Sequence, residues 1–165
     1  MRFVMIPVAL ATLSACGPST TGPGEISGFG LVYDQRPGRS FEGLPRTTDA
    51  QMPTTIGTMT GPSRLISNDG TIVFADATLT FDVTTRDVTL TGEYEFPDTH
   101  PLGIIQIQQD GQLDGASIIG TATSGLRGYL SGDFYGTDGT VVAGFFGQDG
   151  PNNENLSGAY IVSRD

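Results

Sequence analysis

From Pro53 onward the chain alternates apolar and polar residues with a period of two, and this constrains the fold more than any other feature. Leu79, Phe81 and Val83 share one parity, while Thr78, Thr80 and Asp82 take the other. After the run TTRD the alternation resumes, with Val88, Leu90, Tyr94 and Phe96 set against Thr89, Thr91, Glu93 and Glu95. That pattern predicts a hairpin with one dry face and one wet face. Ile104, Ile105 and Ile107 form the next apolar segment, residues 109–112 offer a turn, and residues 117–123 read as another short strand. Leu130 and Phe134 alternate with Ser131, Asp133 and Tyr135. Val142, Gly144 and Phe146 continue the pattern, and Leu156, Gly158, Tyr160 and Val162 close it. Nowhere does an apolar series at helical spacing persist.

Glycine decides between a sandwich and a barrel. The chain has 24 glycines, and those at 128, 132, 136 and 144 fall on the apolar parity. A tightly curved sheet crowds its concave face, and glycine there permits the bends that closure requires. Asp-Gly pairs at 69–70, 110–111, 138–139 and 149–150 punctuate the strands, as tight hairpin turns demand. The expectation is an all-β fold, a small antiparallel β-barrel of about eight strands with a mostly filled interior.

The chain opens MRFVMIPVALATLSAC. Arg2 supplies a positive start, and an apolar run from Phe3 to Ala11, broken by Pro7, leads through small residues to Cys16. A spanning helix needs about 20 apolar residues, so this run reads as a removable signal. Leu13-Ser14-Ala15-Cys16 resembles the lipobox of bacterial lipoproteins. That resemblance implies cleavage before Cys16, acylation of its thiol and new amine, and, with Gly17 following, an outer-membrane destination. An ordinary secretory signal beside a stray cysteine is the plainer alternative. Residues 1–15 are thus expected to be signal peptide and 16–24 the lipidated cysteine with a flexible tether. Residues 25–53 should hold a first strand (25–34, with Ile26, Leu31 and Tyr33) and a long loop or cover (35–53). Residues 54–165 should form the barrel.

Charge and counts remove several functions. The chain carries 18 acidic and 8 basic residues, a net charge of −10, which opposes nucleic-acid binding and docking on anionic headgroups. One His, one Cys and no Trp exclude paired-histidine catalysis, a multi-cysteine metal site and an internal disulfide. No nucleophile elbow or phosphate-cradling loop occurs. The Asp-Gly pairs lack the spaced oxygen ligands of calcium loops, so turns explain them. Two-carboxylate hydrolysis is not expected with the acids on outward parities.

Three segments resemble one family. MPTTIGTMTG (52–61), LTFDVTTRDVTLTG (79–92) and LSGDFYGTDGTVVAGFF (130–146) are similar to the barrel domain of transferrin-binding-protein-B-like lipoproteins. Met59, Thr137, Val141 and Ala143 depart from that pattern. The likeness covers about residues 50–165 and implies a barrel, with no ligand-binding chemistry in the signature itself. Full members pair a handle with a barrel in each of two lobes, and this chain has room for one barrel.

His100, in PDTHPLG, is the one histidine. A loop histidine of this kind is expected to be solvated rather than to hold a metal or haem. Glu93 and Glu95 should point to solvent, so their gathering with Asp98 and His100 around a cation is not expected. Tyr129, Tyr135 and Phe145 lie on the parity opposite Leu130, Phe134 and Phe146, and form a candidate partner-binding patch unless the 35–53 loop or the N-terminal segment covers them. The leading expectation is a non-enzymatic outer-membrane lipoprotein, without metal or cofactor, whose barrel presents a surface to a protein partner, with host-protein or iron and haem acquisition as its setting. A lipocalin-like carrier of apolar ligands and a periplasm-facing structural or inhibitor lipoprotein are the alternatives. Large side chains at 81, 90, 94, 130, 134 and 146 argue against the carrier.

Overall fold

Alternation becomes geometry at Gly57. In a computed structural model, which describes residues 44–121, 128–151 and 154–164, eight strands follow one another. They are β1 (Gly57–Ile66), β2 (Ile72–Phe81), β3 (Asp87–Glu95), β4 (Ile104–Asp114), β5 (Ser117–Thr121), β6 (Gly128–Tyr135), β7 (Val141–Asp149) and β8 (Asn155–Ser163). Each pairs antiparallel with the next, and β1 pairs back onto β8, with Ser63 opposite Tyr160 and Leu65 opposite Gly158. The sheet is a closed barrel, as expected. The expected strand at 25–34, the tether and Cys16 lie outside the described residues.

The inward parity is the apolar one. Phe81, Leu90, Tyr94, Leu130, Phe134 and Phe146 are all fully buried, together with Met59, Leu65, Leu79, Tyr160 and Val162. Phe81 meets Phe134 edge-on at 5.3 Å between ring centroids, and Phe146 lies 6.1 Å from Tyr94 and 6.4 Å from Tyr160. Rings therefore fill the lumen from side to side. They fit because glycine yields room. A Cβ on Gly132 would stand 2.5 Å from the Tyr160 hydroxyl, and one on Gly144 only 2.6 Å from it.

Two phenols in this core keep their hydroxyls bonded. Tyr94 donates to Ser63 Oγ at 2.7 Å, and Ser63 Oγ donates in turn to the Ala75 carbonyl at 2.8 Å. Tyr160 donates to the Ser131 carbonyl at 3.1 Å. Burial pushes both phenols well above the ordinary tyrosine value, with the Asp133 carboxylate adding to the effect at Tyr160.

Three local expectations are corrected. Residues 109–112 are not a turn: β4 runs through them and keeps its register with β3 from Asp87↔Gln112 to Glu95↔Ile104. The chain reverses at Gly115-Ala116, where Asp114 faces Ser117 and Gly115 takes a φ of +58°. Gln109 stays inside the ladder because Gln148 accepts its amide hydrogen at 2.8 Å within the buried core. Gly136, read as a concave-face glycine, is instead a turn residue with a φ of +88°. Val83 has left β2 and sits half-buried in the β2–β3 turn, packed against the core.

The stretch before β1 acts as a cover, as one reading of residues 35–53 has it. Its described part fills the edge of β6 beyond the start of β5: Thr47 N–H donates to Phe134 O at 2.8 Å, and Gly136 N–H donates to Pro45 O at 2.9 Å. Arg46 bridges across to Asp133 at 2.6 Å and to the Ser117 hydroxyl. A short 3₁₀ turn, Asp49–Gln51, then lets Asp49 accept the Ala116 N–H at 2.9 Å.

Candidate partner-binding surface

The lumen is filled by buried rings, and open space lies along the outer wall. Among the described residues the outer wall is least regular between β4 and β5. β3 pairs with β4 from Asp87 to Glu95, whereas β5 pairs with β4 only from Ser117 to Ile119. Beyond that point Gly111 and Gly120 come so close that a Cβ on Gly120 would lie 2.5 Å from Gly111 Cα. An open groove of about 810 Å³ runs over this seam, walled by Asp87, Thr89, Asp110, Gln112 and Ile119. Thr89 donates to Asp110 at 2.9 Å, which holds one wall in place. Inside the same seam, the Gln109 amide oxygen is buried and takes no hydrogen bond among the described residues.

Ile119 is 55% exposed and Tyr129 is 45% exposed, on neighbouring strands β5 and β6. Tyr129 is held by lying across Gly147 on β7, where a Cβ would strike its ring. Two exposed large apolar side chains beside an acidic groove make a surface of mixed character, suited to a protein partner. Alternation places Ile119 on the outer face of β5, where it stands beside the groove.

The three aromatics of the sequence reading do not form one patch. Tyr129 and Tyr135 stand at opposite ends of β6, roughly 20 Å apart at strand rise. Tyr135 and Phe145 are half-buried and join Leu44 against Val141, Ala143, Ala159 and Ile161, an apolar cluster outside the barrel. The covered alternative describes these two aromatics. Tyr129 keeps an exposed position.

His100 is not solvated, which corrects the sequence expectation. Its side chain is 8% exposed. The ring stacks on Phe96 at 4.6 Å, Nδ1 accepts the Leu102 N–H at 3.3 Å, and Nε2 faces Asp69 Oδ2 at 3.1 Å. Acceptance at Nδ1 puts the ring proton on Nε2, so the histidine donates to Asp69. Both nitrogens are thereby engaged in stapling the β3–β4 loop to the β1–β2 turn. Ser67 and Thr71 hydrogen bonds, with a smaller contribution from His100, hold the Asp69 carboxyl well below the usual carboxylate range. Glu93 and Glu95 point to solvent as expected, and Asp98 is exposed, so the structure does not gather them with His100.

No protein-family model matches the chain, and no curated protein matches it by sequence. Solved structures do match. The N-lobe of lactoferrin-binding protein B from Moraxella bovis is 15% identical over 68% of this chain and 60% of that one, with a TM-score of 0.51. Transferrin-binding protein B from Neisseria meningitidis serogroup B gives 13% identity, 73% and 33% coverage and a TM-score of 0.52. The Actinobacillus pleuropneumoniae protein of the same name gives 14% identity, 70% and 64% coverage and a TM-score of 0.52. This chain thus spans between 33% and 64% of the lengths it matches. Its described part folds as a transferrin-binding-protein-B-like β-barrel, closed and eight-stranded.

Proposed function

We propose that the chain is a non-enzymatic, lipid-anchored binding module of the outer membrane. Acyl chains on Cys16 hold it, residues 17–24 separate it from the bilayer, and the barrel meets a protein partner on its outside. The observation that carries this reading is the filled lumen: Phe81, Tyr94, Phe134, Phe146 and Tyr160 occupy the space in which a carrier would hold its cargo. The fold likeness supports a binding role, because the matched proteins are named for binding transferrin and lactoferrin. We infer a host protein, of the kind met in iron or haem acquisition, as the partner class, and place its contact at Ile119, Tyr129 and the adjoining acidic groove. Engagement of both His100 ring nitrogens supports a role without histidine catalysis.

Cell fractionation of wild type and Cys16→Ser tests the anchor. Each buried methylene of an acyl chain contributes about 0.8 kcal/mol, so losing the chains should lower the membrane-bound fraction by about tenfold or more. Protease treatment of intact cells should then remove the wild-type barrel. An unchanged membrane fraction in Cys16→Ser would refute the anchor, and survival under protease would refute surface display.

A further inference from the structure

β2 and β3 are not paired along their full lengths. Their ladder runs only from Ala77↔Gly92 to Phe81↔Val88. Yet β2 holds β1 down to Ile72, and β3 holds β4 as far as Glu95. The sheet therefore forks past Ala77 and Gly92. Its two lips are tied together again at the far end, where His100 on the β3–β4 loop meets Asp69 on the β1–β2 turn. Between these limits lies a slit along residues 72–76, roughly 17 Å at strand rise. Ala75, on the inward parity, is only partly buried there, although Val73 and Ala77 on either side are buried.

Three features of the slit point to one kind of occupant. The first is backbone. Asp82 N–H donates to Asp87 O, which sets the phase: even residues of β2 and odd residues of β3 turn their N–H and C=O groups toward each other. Phe74 and Glu95 keep that direction beyond the end of the ladder, where no strand pairs them across the slit among the described residues. The second is apolar surface. Phe74 is 43% and Ile72 40% exposed on one lip, and Ile104, paired with Glu95 on the other, is 61% exposed. The third is charge. Glu93 and Glu95 are exposed; Glu93 accepts the Gln106 amide at 3.2 Å, and no cation pairs with either carboxylate among the described residues. Arg64, opposite Phe74 on β1, is buried, so the charge displayed at the slit is acidic. A groove of about 370 Å³ at the apex is walled by Asp76, Thr91, Glu93 and Gln106.

We propose that this slit binds an extended, basic segment of a partner protein. The segment lies along β2 and bonds the open backbone groups of Phe74. Its apolar side chains meet Ile72, Phe74 and Ile104, and its Lys or Arg side chains reach Glu93 and Glu95. Open backbone groups select a peptide over a lipid, and the carboxylates select its sign. A second copy of a chain with net charge −10 would be repelled at the same place. The slit stands on β2–β4, apart from Ile119 and Tyr129, and does not rest on the function proposed above.

Titrating the full chain with a synthetic heptapeptide of alternating lysine and valine, followed by backbone amide resonances, tests it. Saturable shifts are expected at Ile72, Phe74 and Glu95. The same peptide with glutamate in place of lysine should bind about tenfold more weakly or worse. Phe74→Ser, and separately Glu93→Gln with Glu95→Gln, should each weaken the lysine peptide about tenfold. All three side chains are exposed, so the aromatic circular dichroism of the barrel should be kept in both variants. No shift at millimolar peptide would overturn the proposal, as would shifts confined to Ile119 and Tyr129. Weakening by the charge substitutions but not by Phe74→Ser would also overturn it, as diffuse attraction to an acidic protein. The same shifts on concentrating the protein alone would overturn it by naming a second copy as the occupant.

Discussion

Replacing Gly144 by Val is expected to destabilise the barrel strongly and lower its melting temperature by about ten degrees or more. The first added carbon would collide with the Ser131 carbonyl oxygen, and would stand 2.6 Å from the Tyr160 hydroxyl and 2.7 Å from Gly132 Cα. Two of those three neighbours are backbone held in the β6–β7 ladder, where Gly132 faces Gly144. They cannot retreat without breaking strand pairing. Overpacking of a side chain costs about 1–3 kcal/mol, and a clash with fixed backbone should exceed that, at roughly 4 kcal/mol or more. Against a total stability of about 5–15 kcal/mol, that removes roughly a quarter to four-fifths of the margin. Thermal denaturation followed by circular dichroism measures it. Trimming the one movable neighbour, by adding Tyr160→Leu to Gly144→Val, should not restore the lost stability. A Gly144→Val protein that melts within a few degrees of wild type would mean the wall is not as tightly curved as described.

The second large effect is a loss of stability at high pH. Tyr94 and Tyr160 are buried phenols whose ionisation is pushed upward by burial. In the unfolded chain both titrate near the ordinary value of about 10. Below that pH neither state loses a phenolic proton, so their stabilising contribution is present in full. Above it the unfolded state releases protons that the folded state retains, and stability falls by about 1.4 kcal/mol per pH unit for each tyrosine. Two such groups would cost about 5 kcal/mol by pH 12, comparable with the stability of the whole domain. Urea denaturation at stepped pH should show this slope. Tyr94→Phe should halve it, while costing about 1 kcal/mol at neutral pH through the lost bond to Ser63. A slope unaltered by that substitution would show that Tyr94 ionises in the native state.

What is legible in the sequence follows from what a period of two can encode. It separates inside from outside wherever one face is dry, and so it locates Phe81, Leu90, Tyr94, Leu130, Phe134 and Phe146 in the core. Gly132 and Gly144 on the same parity point to closure because a concave wall leaves no space for Cβ atoms. The pattern fails where burial comes from partners distant in sequence. Gln109 looks like a turn residue beside Asp110-Gly111, yet a glutamine can lie inside once Gln148 satisfies its amide hydrogen. The competing signal, Asp114-Gly115, stands only a few residues further on. His100 reads as solvated because Phe96 and Asp69, which enclose it, come from the base of its own loop and from another turn.

The outer cluster is harder for a different reason. Val141, Val142 and Ala143, like Tyr160, Ile161 and Val162, are apolar on both parities, which signals a strand dry on two sides. Alternation read within such a run assigns one parity to solvent by default. Tyr135 and Phe145 do lie outside the barrel, but being outside is not the same as being exposed. Tyr129 and Ile119 escape that cover and stand exposed on the β5–β6 wall, Ile119 lining the groove.

Ring closure with a packed interior is the claim on which the rest depends, since an open sheet would have a different inside and free edges. Nuclear Overhauser contacts between the α-protons of β1 and β8 test it most directly, because these strands come from opposite ends of the described chain. Contacts are expected along the seam where Ser63 faces Tyr160 and Leu65 faces Gly158, together with slow amide exchange in both strands. Their absence, with rapid exchange along β1 and β8, would contradict closure and with it the outer-surface reading of function.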